Sequence, residues 1–318
     1  MVSTCQSASG FSARTPSRGL PGRSRSRGRR QPDCFTNRCL HNQARATDRP
    51  FNELLQYFAM ERFLYRLSCS PHTDRFVLKG GLLLASWRLS LTRPTKDIDL
   101  LGAMANDVDA VVAVFQEVCS QNVDPDGLEF DPASAMGERI AEEAEYDGVR
   151  VRFRGALGTA RVTMQIDIGF GDAVVPAPTW VDYPSLLDLP PPRIRGYTRE
   201  GVVAEKFHTM VLRGLLNSRV RDFCAIRVLS RQFDFEGGRL VTAIRETFSR
   251  RELDVPALPV ALTDEFAADA GKAQQWRGFL RRSLVSGAPG DLREVTRDLH
   301  AFLGPLAEAL HHDHVFDG

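Results

Sequence analysis

Phe76-Val77-Leu78-Lys79-Gly80-Gly81, followed by a short apolar segment and then Thr95-Lys96-Asp97-Ile98-Asp99-Leu100-Leu101-Gly102, is the stretch that decides the fold. An apolar run that ends in Lys79-Gly80-Gly81 reads as a strand turning into a helix, with Leu82 to Leu89 buried. Lys96 to Leu101 reads as a second strand. Side chains alternate along a strand, so Asp97 and Asp99 share one face, roughly 7 Å apart at their backbones, while Ile98 and Leu100 enter the core. Paired carboxylates suit Mg²⁺, which takes one or two of them and fills its other positions with water and phosphate oxygens; Mn²⁺ is accommodated by the same donors. Glycines at a strand-to-helix turn let backbone N–H groups approach a phosphate. An isolated Asp-x-Asp is common and seldom catalytic, and a Gly-Gly pair is usually only a turn, so the order and spacing carry the argument.

Further residues extend the pattern. Arg93 and Thr95 precede the aspartates, where a guanidinium can clamp phosphate; an ordinary loop arginine is the competing reading. Segments 138–146, 149–154 and 161–169 read as a three-stranded meander, with Asp147-Gly148 as a hairpin turn and the residues up to about 137 as loop. In its last strand Asp167 faces away from Ile166 and Ile168, and on a strand next to the first pair it would supply a third carboxylate. Three such groups can hold two ions for an in-line phosphoryl displacement. Arg150, Arg152, Arg154 and Arg161 lie on the polar face of the meander, either tracking an RNA backbone or, the favoured reading, paired with acids in a solvated face.

The chain has 318 residues, 43% of them hydrophobic, and a net charge of +1, enough for an ordinary core and two domains. No apolar run approaches the roughly eighteen residues of a membrane span, so no membrane association is expected. Six cysteines without Cys-x-x-Cys spacing point to a reduced, cytoplasmic protein with no zinc site. Residues 1–49 are rich in Arg, Ser, Gly and Pro and read as a disordered extension. With Asp33 and Asp48 its only acids, this extension leaves the rest of the chain net negative, which excludes a generally basic nucleic-acid binder. Phe51, Leu54, Leu55, Phe58, Phe63 and Leu67 give an amphipathic helix, and Asn106 reads as the N-cap of another. The expected organisation is an α/β domain at 50–175, a Pro-rich linker at 176–197 and a helical domain at 198–318. Thr198 is the expected cap of a helix that carries Lys206, and Arg221-Asp222 open the next.

The succession Lys79-Gly80-Gly81, Asp97-Ile98-Asp99, Gln165-Ile166-Asp167-Ile168-Gly169-Phe170-Gly171-Asp172, Ala204-Glu205-Lys206-Phe207 and Arg219-Val220-Arg221-Asp222 resembles the AbiEii/AbiGii toxin family, which includes the MenT toxins. The resemblance covers about residues 50–285. It implies a polymerase-β-like nucleotidyltransferase domain with a mixed sheet, then a helical domain, with the site in the cleft between them. It also implies the toxin of a toxin–antitoxin pair acting in abortive infection and phage defence, moving NMP from an NTP to an acceptor, in several members the 3′ end of tRNA. A winged-helix antitoxin repressor is the implied partner, and a monomer is expected.

On this resemblance Lys79, Gly80 and Gly81 lie along the triphosphate and Asp97 and Asp99 bind Mg²⁺. Asp167 matches the superfamily's third carboxylate, Lys206 contacts phosphates, and Arg221 and Asp222 form the late basic–acidic motif. Ala225 departs from the pattern, since many relatives carry an acid there. Competing readings are a small-molecule or protein acceptor, a phosphotransferase using the same cleft, and a degenerate member that only binds nucleotide or antitoxin.

Overall fold

Seven strands form one mixed sheet at the centre of the computed structural model, which describes residues 32–87, 89, 95–142, 146–171, 174–283 and 287–312. Two helices precede the sheet. Helix α1 (Pro32–Thr47) lies in the last third of what composition reads as a disordered extension. It buries little, chiefly Leu40 and Ala44, and is tied down by Thr36 Oγ1 donating to the Asp126 carbonyl at 2.9 Å and by His41 stacked on Phe51. So few apolar residues leave no period to detect in sequence. Helix α2 (Phe51–Cys69) is the expected amphipathic helix, with Leu54, Leu55, Phe58, Phe63 and Leu67 all buried.

Strand β1 (Phe76–Lys79) runs into helix α3 (Gly80–Ser86), and strand β2 (Ile98–Gly102) and helix α4 (Val108–Cys119) follow. The cap of α4 is Asp107 rather than Asn106, its carboxylate accepting from the Ala110 N–H at 2.8 Å. Long strands β3 (Leu128–Glu142), β4 (Tyr146–Leu157) and β5 (Ala160–Phe170) make the meander. Strand β3 begins well ahead of Glu138, through residues expected to be loop, and a register shift between Asp131 and Met136 hides its alternation. Asp147-Gly148 is not the turn: both residues lie in β4, opposite Ala141 and Ile140.

The Pro-rich segment is also more than a linker. It supplies β6 (Thr179–Asp182) and β7 (Arg193–Gly196), giving the strand order β3-β4-β5-β2-β1-β7-β6. The chain between these two strands is strapped to α2 by buried charge. Glu61 accepts from the Leu186 N–H at 2.7 Å and the Ser185 hydroxyl at 2.9 Å, while Arg62 donates twice to the Pro190 carbonyl. Arg66 makes a fork to Asp126 at 2.8 and 3.1 Å. Buried ions are tolerable only when bonded in this way.

From Arg199 onward the described residues form helices and the loops between them: α5 (Arg199–Arg213), α6 (Val220–Gln232), α7 (Gly237–Arg250), α8 (Asp264–Ala268), α9 (Ala270–Arg282) and α10 (Leu292–His311). Phe207, Phe223, Phe248, Phe266 and Trp276 fill their core. Thr198 caps α5 as expected, accepting from the Gly201 N–H at 3.2 Å. The start of α5 is fixed to the sheet, because β7 runs parallel to β1 and the Tyr197 N–H continues the ladder to the Leu78 carbonyl at 3.1 Å. The α/β class with a mixed sheet followed by helices is thus borne out. Among the described residues no helix is long and apolar enough to cross a membrane.

Candidate active site

Register assembles the charged residues. Lys79 on β1 pairs with Asp99 on β2, Asp99 with Asp167 on β5, Asp167 with Arg150 on β4, and Arg150 with Glu138 on β3. Residues paired in this way point to the same side, about 4.8 Å apart from strand to strand. The neighbouring row, Leu78, Leu100, Ile168 and Val149, is fully buried on the other side. The alternation inferred from sequence therefore places the acids on the sheet face opposite that core. Two adjacent carboxylates repel, and the basic residues that bracket them, Lys79 and Arg150, offset that repulsion.

Asp97 stands at a bend just before β2, not within it. Its neighbourhood is held from α2. The Tyr57 hydroxyl accepts from the Thr95 N–H at 3.0 Å, and Gln56 Nε2 donates to the carbonyls of Lys96 and Thr163, each at 3.3 Å. Burial pushes the Tyr57 phenol above its usual pKa, against the opposing effect of the Thr95 bond. Sequence reasoning gave these two residues no role, because helix period assigns them only to a face.

The glycine turn and the acids form one surface. Gly80 has φ +67°, and a Cβ on it would land in the Asp99 carboxylate. At Gly81 a Cβ would strike Thr95 Oγ1. Arg93 and Asp172 lie outside the described residues.

Asp167 has a close partner. Arg150 Nε and a terminal guanidinium nitrogen donate to its two oxygens, each at 2.7 Å, and Gln165 adds a longer contact at 3.4 Å. This bond, and then the Asp167, Glu138 and Asp97 charges, raises the Arg150 pKa against the effect of burial, so Asp97 lies within electrostatic reach of the guanidinium. Arg152 binds Glu138 at 2.7 Å and Arg154 binds Asp131 at 3.1 Å, which gives the paired arginine face. Asp99 stands against the glycine turn and Asp97 just before its strand, and two carboxylates of this kind are a donor set that fits Mg²⁺. Both Asp167 oxygens accept from Arg150 in this arrangement. Among the described residues no three His, Cys, Asp or Glu side chains are already gathered as a metal cage.

Lys206 and Asp222 form a second group. They pair across α5 and α6 through Lys206 Nζ and Asp222 Oδ1, with the Asp222 side chain 5% exposed. Burial pushes the Asp222 carboxyl up, but the charge and hydrogen bond of Lys206, with Arg221 and Arg219, outweigh it and hold the pKa below the ordinary value. Arg221 is exposed beside it. Ala225, one turn on, is buried, so an acid there would enter the core. Arg199, the first residue of α5, lies over Trp87 at the end of α3 and over Phe233 at the end of α6, joining the helical half to the glycine-turn helix.

Comparison with known proteins supplies the family. The chain is similar to JHP933 from Helicobacter pylori, with 14% identity over 82% of this chain and 92% of that one at a TM-score of 0.45. A candidate nucleotidyltransferase from H. pylori gives 15% identity over 82% and 95%, at a TM-score of 0.40. At such scores neither likeness bears on the assignment. No curated protein matches the chain. The family model described as "Nucleotidyl transferase AbiEii toxin, Type IV TA system" matches residues 62–302, a span that includes the glycine turn, all three carboxylates and the Lys206–Asp222 pair. The chain belongs to the AbiEii family of nucleotidyltransferase toxins of type IV toxin–antitoxin systems.

Proposed function

We propose that this nucleotidyltransferase moves NMP from an NTP to the acceptor end of tRNA, with Mg²⁺ carried by Asp97 and Asp99. The observation that carries the reading is the contact of Gly80 with Asp99: phosphate seated on the turn would lie against the carboxylate that holds the ion. A divalent ion there neutralises the triphosphate and the departing pyrophosphate. Lys79 borders the acids from β1 and balances their charge when the site is empty of phosphate. Thr95, Gly80 and Gly81 shape the turn that orients the triphosphate. Lys206 has three N–H donors and gives one to Asp222, leaving two for phosphate from the helical side. Asp222 and Arg221 orient that lysine. Most of the rate acceleration then comes from positioning and charge complementarity.

The same reading makes the protein a monomeric cytoplasmic toxin in phage defence, silenced by a winged-helix repressor. It treats the sheet region, 50–175, and the helical region, 198–318, as the two walls of the site.

The test supplies each NTP, labelled at the α or the γ phosphate, with total RNA, candidate proteins and small hydroxyl acceptors in Mg²⁺. α-label on tRNA is the expected result. α-label elsewhere replaces the acceptor, γ-label on any acceptor replaces the reaction, and absence of transfer sinks the reading. Asp97→Ala should lower transfer by at least about 10³-fold, since it removes a ligand to the charge-stabilising ion. Full activity in that variant removes Asp97 from the mechanism.

A further inference from the structure

We propose that Arg150 sets how many divalent ions the site accepts: by holding both oxygens of Asp167, it restricts the site to the one ion carried by Asp97 and Asp99. The proposal rests on the reading of those two residues as metal ligands. Asp167 is Asp99's register partner on the adjacent strand, the place from which a third carboxylate would bridge to a second ion. Instead, its two oxygens accept a parallel fork from one guanidinium, each at 2.7 Å.

The neighbours of Arg150 make this pairing hard to exchange. Glu138, its other register partner, accepts from Arg152 at 2.7 Å, and Arg152 is further fixed by Gln165 at 3.1 Å. Arg150 can therefore commit its fork to Asp167 alone. A guanidinium keeps its charge across the working pH range. An ion that ligated Asp167 would lie within a few ångströms of that charge, and the repulsion grows with the product of the two charges. A lysine could rotate a single ammonium aside, whereas a planar fork matched to a carboxylate cannot turn away without losing both bonds.

Mn²⁺ alone, titrated into the full chain and counted by its electron paramagnetic resonance signal, tests this without depending on turnover. The wild-type protein should take one Mn²⁺, lost in the Asp97→Asn/Asp99→Asn double variant. Arg150→Gln should take two, with the spin coupling expected of ions about 4 Å apart. Arg150→Gln/Asp167→Asn should return to one, which separates a released Asp167 from an incidental new site. Two ions in the wild-type protein, or one in Arg150→Gln, would overturn the proposal. Circular dichroism checks the fold of each variant. If Arg150→Gln unfolds, Asp167→Asn decides alone: an unchanged Mn²⁺ number supports the clamp, and a lost ion overturns it. A wild-type protein that binds no Mn²⁺ overturns this proposal together with the Asp97–Asp99 assignment, and the labelled-NTP assay then shows whether the transfer reading survives on its own.

Discussion

The charged row on the sheet and the charged pair in the helices set the same chemistry in different mechanical surroundings. On the sheet, Lys79, Asp99, Asp167 and Arg150 take their places from backbone register, and their side chains lie on one face, with Arg150 27% exposed. In the helical half, Lys206 meets Asp222 only because α5 packs against α6, and the acid is shut away from water. Outside the Arg150–Asp167 fork, charges placed by a ladder can change partners for a ligand while the fold stays intact. Charges placed by packing are part of what holds the helices together.

The largest expected effect breaks or upholds that contrast. Asp222→Ala leaves Lys206 without its buried partner and should cost about 3–5 kcal/mol of stability. Asp99→Asn, on the sheet, should cost within about 1 kcal/mol and yet abolish transfer. Urea unfolding of both variants checks this, and equal losses would end the distinction. The pH dependence follows from the depressed Asp222 pKa. The unfolded chain takes up the proton near the ordinary value of 3.8 and the folded chain only below it. The stabilisation is therefore complete above about pH 4 and disappears as pH falls through the folded value. Asp222→Asn should accordingly show a stability deficit that is constant at neutral pH and shrinks only in acid.

Next in size is the glycine turn, which sharpens the sheet side of the comparison. Gly80→Ala must adopt a left-handed backbone at about 1–2 kcal/mol and also displace the Asp99 carboxylate. Moving a reacting group by about 1 Å can cost about 100-fold, so transfer should fall at least that far while the protein still folds. Gly81→Ala meets only the Thr95 side chain and has no positive φ, so its effect should be smaller. Steady-state NMP transfer by the two variants orders them. A larger loss at Gly81 would mean that Thr95, not Asp99, is the sensitive contact.

Much of the sheet face could be read in sequence because it follows a rule of period two. Ile98 and Leu100 against Asp99, and Ile166 and Ile168 against Asp167, declare which side each acid takes, and register does the rest. What stayed hidden depends on contacts between distant segments. Arg150 was visible only as one of four arginines on the polar face of the meander, and nothing local says that it answers Asp167 while Arg152 answers Glu138. The β6–β7 hairpin was masked by prolines, which permit edge strands but weaken their pattern. Helix α1 escaped because one buried leucine and one alanine carry no period. In the helical half Lys206 and Asp222 were each found, but as separate residues, since pairing across two helices leaves no mark in spacing.

The smallest effect asks how far the ledge depends on the helix behind it. Tyr57 gives the Thr95 N–H its acceptor, and Gln56 bridges Lys96 to Thr163, so α2 holds both sides of the approach to Asp97. Tyr57→Phe keeps the ring that Arg49 covers at 5.0 Å and removes only the acceptor. Losing one such bond costs about 1 kcal/mol. If the loss falls on the placement of residues 95–97, it appears as a roughly 3- to 10-fold fall in transfer with little change in urea midpoint. If it falls on the fold instead, the midpoint drops and the transfer rate of the folded fraction does not. The first outcome makes α2 part of the scaffold of the site. The second confines that role to Gly80, Gly81 and the strand register, and then the row on the sheet depends on its own backbone alone.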